Sequence, residues 1–303
     1  MTSERPDPRR NAYREDMAAS ALKERVKAPR YVDGVTQQVI APRAPVRSAP
    51  KFRAPLMTEA LHGEAVTVYD SRDGWVWGQL QRDGYVGYMP ADHLSSNVFP
   101  PTHAVRVRAS HIYPAPDIKT PPLDMLTFGA RLAADGREGR FLSLARGGYI
   151  FADHCVGAGD TLKDFVRAAE RLVGTPYLWG GKTSLGLDCS ALVQLSLQAA
   201  GTECPRDTDM QEAEVGEAVE GILDDSGALK GGLERGDLLF WKGHVAIAQS
   251  DDWLVHASGH QMETVIEPVR HALERIGQSW GRPTAVKRLA AEDAILELPD
   301  TSG

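Results

Sequence analysis

The spacing of apolar residues along this chain changes character twice, and each change predicts a different kind of element. Residues 13–28, YREDMAASALKERVKA, carry the Ala, Leu, Lys, Glu and Arg of a short helix that Pro29 would stop. Prolines then punctuate APRAPVRSAPKFRAP between Pro42 and Pro55, which suits an extended connection or a barrel edge. From Met57 to Asp92 the period falls to two. EAVTVYD, WVWGQLQ and YVGYMP read as short strands, separated by SRDG and RDG, whose Asp-Gly pairs are hairpin turns. Strand-like runs return between Thr102 and Val156 as VRVRAS, IYPAPDI and FLSLARGGYIFADH, with AADG as a turn. Each set predicts one small β-barrel.

Helical spacing resumes at Asp160. DTLKDFVRAAERLVG puts Leu162, Phe165, Val166, Ala169 and Val173 on one face, with Asp160 or Thr161 as the cap and Pro176 as the stop. The stretch LDCSALVQLSLQAA, Leu187 to Ala200, predicts a buried helix that starts close to Asp188 and ends at Gly201. Beyond it, LLFWKGHVAIAQS and DDWLVHASG read as adjacent strands joined at Ser250 to Asp252. Helices followed by antiparallel strands make the second half an α+β domain.

A chain of 303 residues with 42% hydrophobic content is long enough for two or three domains, each with its own core. The net charge of −7, with Lys and Arg spread along the chain, argues against nucleic acid or an anionic membrane as the main partner. No apolar run approaches the roughly 18 residues that span a bilayer, and residues 1–20 are polar, so the expected location is cytoplasmic. Cys155, Cys189 and Cys204 lack CxxC spacing, which suggests neither a disulfide framework nor a metal site; no cofactor is expected.

Cys189 falls in the first turn of its helix, where unpaired N–H groups and the positive end of the helix favour thiolate and predict a pKa below the free value of about 8.5. A lone cysteine is more often an inert core residue, and a lone strand histidine is more often structural. Nucleophilic thiol chemistry needs an imidazole to take the thiol proton and a third polar group to orient that imidazole, and His244 and His256 follow Cys189 in the chain.

Four stretches together resemble the NlpC family of papain-like cysteine peptidases, which cut bacterial cell-wall peptides. They are TPYLWGGKTSLGLDCSALVQ (Thr175 to Gln194), PRDTDMQ (Pro205 to Gln211), RGDLLFWKGHVAIA (Arg235 to Ala248) and WLVHAS (Trp253 to Ser258). The family's usual DCSG is DCSA here, with the equally small Ala191 in place of glycine. The resemblance implies a papain-like domain over 158–290, preceded by two SH3-like barrels at 43–98 and 99–157, with an N-terminal segment at 1–42 and a tail at 291–303. It makes Cys189 the nucleophile, His244 the base and His256 the orienting residue, with the Tyr177 hydroxyl and a backbone N–H at the helix start holding the oxyanion.

The same resemblance implies a pocket for a peptide of D-glutamate and a diamino acid, lined by Trp179, Asp188, Ser190, Arg206, Asp207 and Thr208. Tyr85, directly after the Asp83-Gly84 turn, and an acid of the first barrel, Glu64 or Glu59, would hold the free amine of the substrate. The expected reaction is hydrolysis of the γ-D-glutamyl to diamino-acid bond in murein peptides such as L-Ala-γ-D-Glu-diamino acid during wall recycling. An acyltransferase on the same fold and a non-catalytic wall-binding protein are the alternatives. The barrels themselves are either peptide-docking modules or walls that close one end of the cleft.

Overall fold

Alternation around Trp75, Val76 and Trp77 sends successive side chains to opposite faces of a strand, and both faces are used. In the computed structural model, which describes residues 5–290, this strand lies inside a seven-stranded sheet. The order is Leu56–Leu61, Arg43–Arg47, Val86–Pro90, Trp75–Leu80, Ala65–Arg72, Val35–Val39 and Leu94–Ser95, with antiparallel pairings. Val39, Val46, Val66, Val76, Leu80, Tyr85 and Met89 form one core. Trp77 belongs to a second cluster, where Met17, Ala18, Leu22 and Val26 of the N-terminal segment cover it.

That covering segment is not the helix predicted over 13–28. It forms a two-residue parallel pairing of Ala18–Ala19 with Tyr31–Val32 and one 3-10 turn at Ser20–Leu22. Its residues have helix propensity but no continuous apolar stripe, and burial against Trp77 outweighs propensities worth only a few tenths of a kcal/mol per residue. Two further expectations change nearby. The Pro-rich stretch supplies a regular strand at Arg43–Arg47, and the sheet also takes in Val35–Val39, eight residues before the expected start of the first barrel.

Residues 102–157 form a five-stranded and a three-stranded sheet around Val105, Ile112, Leu126, Leu132, Leu142, Leu144 and Ile150. The first and second sets share a local device: Val86–Pro90 runs into a 3-10 turn at Ala91–His93, and Tyr149–Phe151 into one at Ala152–His154. They meet closely at Gly63, where φ is +80° and an added Cβ would stand 2.1 Å from the Arg131 carbonyl oxygen. Only glycine satisfies both conditions.

Backbone contacts divide the chain into two units. One comprises residues up to Ala158 together with Trp179–Thr183; the other comprises Gly159–Leu178 and the chain from Ser184 onward. In the second unit a six-stranded antiparallel sheet contains Leu238–Trp241, His244–Ala248, Trp253–Ser258, Glu263–Pro268 and Ala285–Arg288, with Glu217–Ala218 at its edge. Helices α1 (Val166–Arg171) and α2 (Cys189–Ala199) pack on each other and on this sheet. A short α3 spans Thr208–Glu214. Helix α4 (Val269–Trp280) buries Val269, Ala272 and Ile276 against Leu239, Trp241, Ala246 and Leu254.

The helix expected from Asp160 to Gly174 is reduced to the six residues of α1. Neither Asp160 nor Thr161 caps it. The Asp164 carboxylate instead accepts from the Val166 N–H at 3.0 Å, and the Leu162 N–H is bound to the Ala199 carbonyl at 2.9 Å. That tertiary hydrogen bond holds Leu162 out of the helix while its apolar neighbours still face inward. The expected tail at 291–303 lies outside the described residues. Among the described residues no helix is long and apolar enough to cross a membrane.

Candidate active site

Asp188 ends the extended backbone before α2, and its Oδ1 accepts from the Ala191 N–H at 2.9 Å, making it the N-cap. Cys189 is therefore the first helical residue. The cap is itself held: Arg206, 1% exposed, gives Nη1 to Asp188 Oδ1 at 2.9 Å and Nη2 to Oδ2 at 2.8 Å. Nη1 also donates to Ser190 Oγ at 2.8 Å, and Gln211 Nε2 donates to the Ser190 carbonyl at 2.9 Å. Asp188, Ser190 and Arg206 thus form a buried frame that fixes the start of α2. Asp207 and Thr208 are half-buried. Thr208 Oγ1 lies 4.0 Å from Cys189 Sγ.

Strand geometry assembles the imidazoles. The pairing of Ile247 with Val255 and Ala248 with Leu254, continued along the strands, sets His256 opposite Ala246. His244 lies two residues from Ala246 on the same face, a diagonal neighbour of His256. In the next pairing Val265 lies opposite His256 and Glu267 opposite Leu254, so Glu267 is again the diagonal neighbour. The result is a row across three strands. His244 Nε2 is 2.8 Å from His256 Nδ1, and His256 Nε2 is 2.7 Å from Glu267 Oε1. Arg275 of α4 then binds Glu267. The sequence reading identified both histidines but missed Glu267 and Arg275, although a period-two count from His256 across the turn would have found the carboxylate.

The electrostatics differ from the expectation for a helix-start thiol. Burial pushes Cys189 up to about 11, the Asp188 charge adds to this, and the Val245 N–H, Thr208 and Arg206 offset only part of it. Desolvation holds His244 well below the ordinary histidine value, reinforced by His256 and Arg275. The helix-end effect is worth about 0.3–1 kcal/mol at the surface, less than removing a thiolate from water. Both shifts favour the uncharged forms, a thiol at Cys189 and a neutral imidazole at His244. The Val245 N–H contact places the thiol beside the residue next to His244.

Tyr177 is raised, first by burial and then by the Cys189 and Asp188 charges, so its phenol remains a hydrogen-bond donor near the thiol. That chemistry suits an oxyanion donor.

The predicted amine-binding residues lie in the first unit, engaged within it. Tyr85 does not project from its turn; its ring is 1% exposed and part of the sheet core. Glu64 Oε2 accepts from the Leu61 N–H at 2.9 Å, and its Oε1 is 3.3 Å from the Lys182 ammonium. Glu59 accepts from the Lys182 N–H at 2.9 Å and pairs with Arg43 at 2.7 Å. Lys182, fully buried and 3.8 Å from Asp83, was not singled out in the sequence; a lysine in a loop reads as solvated until its carboxylate neighbours are known. Trp179 is 69% exposed.

Burial pushes Cys155 up to about 12, and Cys204 is 3% exposed with its Sγ 3.4 Å from the Pro205 carbonyl. Iodoacetamide at pH 7 is expected to label Cys189 before either of them, since the Val245 N–H, Thr208 and Arg206 all favour its forming thiolate. The labelling rate should keep rising above pH 8. A rate constant flat from pH 6 to 9 would instead show a resting thiolate and imidazolium pair.

Residues 174–275 match the NlpC/P60 family, and residues 46–94 match the bacterial dipeptidyl-peptidase Sh3 domain. The chain is 27% identical over 263 residues to Dipeptidyl-peptidase 6 of Lysinibacillus sphaericus, a match covering 78% of this chain and 93% of the relative. It is 26% identical over 246 residues to a γ-D-glutamyl-L-lysine dipeptidyl-peptidase of Bacillus cereus, covering 71% of each. In fold it is similar to the crystal structure of an NlpC/P60 family protein from Bacillus cereus, with a TM-score of 0.67 at 20% identity over 84% of this chain and 99% of the other. The thiol at a helix start, the imidazole row and these likenesses lead to one conclusion: the chain is a cysteine peptidase with an NlpC/P60 family domain joined to a bacterial SH3 domain.

Proposed function

We propose that this peptidase hydrolyses the γ-D-glutamyl to diamino-acid bond of murein stem peptides whose L-Ala amine is free, releasing a dipeptide during cytoplasmic wall recycling. The observation that carries the chemistry is the buried Cys189 at the start of α2, beside the strand whose His244 joins His256 and Glu267 in one row. The thiol gives its proton to His244 and attacks the amide carbon, and the imidazolium then protonates the departing amine. Water, activated by the same imidazole, opens the thioester. The choice of bond rests on the names of the relatives, dipeptidyl-peptidases acting at γ-D-glutamyl-L-lysine. Three free cysteines suit a reducing compartment.

The likeness to the Lysinibacillus protein extends through both parts of the chain, and we infer that both sets of strands in the first half are SH3-like modules. Asp207 and Thr208, half-buried beyond the Arg206 frame, are the proposed peptide contacts. Free L-Ala-γ-D-Glu-diamino acid is expected to be cut into L-Ala-D-Glu and the diamino acid. Acylating its amine is expected to lower kcat/KM by about 30-fold or more, because it removes the charge by which a free-amine substrate is told from an acylated one. Mass spectrometry reads both results, and transfer to an added amine instead of water would appear as a heavier acyl product. Equal rates for the free and N-acetyl peptides would end the dipeptidyl reading and its recycling role.

A further inference from the structure

Two imidazoles bonded nitrogen to nitrogen can be arranged in two ways, with the shared proton on either ring, and only one leaves His244 able to serve as base. A group outside the pair must choose. Glu267 is placed to do so. Its carboxylate is kept ionised: burial pushes it up, but the His256 hydrogen bond and the charges of His256 and Arg275 together bring it below the usual carboxylate range. An ionised carboxylate only accepts, so His256 Nε2, at 2.7 Å, must carry the hydrogen. With that hydrogen as its one N–H, His256 has a bare Nδ1. His244 Nε2, 2.8 Å from that nitrogen, must donate to it. The lone pair of His244 is thereby left on Nδ1, the nitrogen not engaged by His256.

We propose that Glu267, anchored by Arg275, is a positioning residue that sets the tautomer of both imidazoles and thereby makes His244 Nδ1 the proton acceptor for Cys189. This inference rests on the cysteine-peptidase role of the same site. The row also acts after proton transfer. Once His244 is protonated, its Nε2–H still points at His256 and, one ring further, at a fixed negative charge, so the cation is stabilised without any side chain turning. His256 is itself 1% exposed, closed off from solvent. The charged and titratable groups around the pair are Cys189 from α2, Glu267 from its strand and Arg275 from α4, with Tyr177, Asp188 and Arg206 grouped about the thiol.

The test uses the full chain and two variants with opposite electrostatic signs. Glu267→Gln removes the negative charge and lets the amide either donate or accept. It is expected to lower kcat about 10- to 100-fold with little change in KM, and to shift the imidazole-governed limb of the pH profile to lower pH. Arg275→Met removes a positive charge and should shift that limb to higher pH. Shifts in the same direction, or activity lost only in proportion to the folded fraction, would overturn the proposal. Nitrogen-15 NMR of the ring nitrogens in a Cys189→Ala background gives a readout without turnover. His256 and His244 should each carry hydrogen on Nε2, and Glu267→Gln should mix the tautomers. Unchanged ring nitrogens in that variant would exclude Glu267 from the role. Should Glu267→Gln fail to fold, Arg275→Met and the parent spectrum decide the matter. If the expected tautomers are present but no murein peptide is cut, it is the substrate reading that fails.

Discussion

Cys189→Ala and His244→Ala are each expected to lower kcat/KM on the free murein tripeptide by about 10⁴-fold or more, and the double variant to be no worse than either single one. The non-additivity follows from the resting charges. Burial holds Cys189 up at about 11 and desolvation holds His244 well down, so the site has no standing thiolate to use when the imidazole is removed. Equally, an imidazole without the thiol has no nucleophile to activate. His256→Ala should cost less, about 10²-fold, because it removes orientation and leaves the proton acceptor. Steady-state kinetics on purified, folded variants is the measurement. A His244→Ala enzyme with a tenth of the parent activity would mean that another group takes the thiol proton, and the row across the three strands would lose its catalytic meaning.

Arg206→Met is expected to destabilise the catalytic unit by about 3–5 kcal/mol, because it strands the Asp188 carboxylate, itself 7% exposed, without its two charged hydrogen bonds. In a unit of this size that corresponds to a fall of roughly 10 °C in the unfolding midpoint. The effect should exceed that of a missing cap, about 1 kcal/mol, because the cap remains as a buried carboxylate that has lost its guanidinium. Asp188→Ala combined with Arg206→Met should therefore be less damaging than the sum of the two single changes. Differential scanning calorimetry on the four proteins tests this. A loss below about 1 kcal/mol for Arg206→Met would show that water reaches the carboxylate and that the frame is not sealed.

The placement of Cys189 was legible because the signals for it are local. An Asp before an apolar, Ala- and Leu-rich stretch is a helix start whatever the helix packs against, and α2 runs from Cys189 as that reading requires. His244 and His256 were legible for a similar reason, since short apolar runs bounded by turns form strands in most contexts. Where propensity stood without a matching apolar face, tertiary burial prevailed: 13–28 became an extended cover for Trp77, and 160–174 kept only six helical residues.

The sequence by itself determined which residues could do thiol chemistry and which local elements carry them, because capping, turn and period-two signals act over a few neighbouring residues. Only the tertiary structure decided the charge states and the partners. Arg206 meets Asp188 across 18 positions, and Lys182 meets Glu64 across 118. Glu267 reaches His256 through strand register. The sign of the Cys189 shift was decided in the same way. The helix start, visible in sequence, favours thiolate, whereas the burial that reverses it comes from the elements packed around the thiol. Desolvation depends on everything that surrounds a group, and no spacing along the chain encodes that.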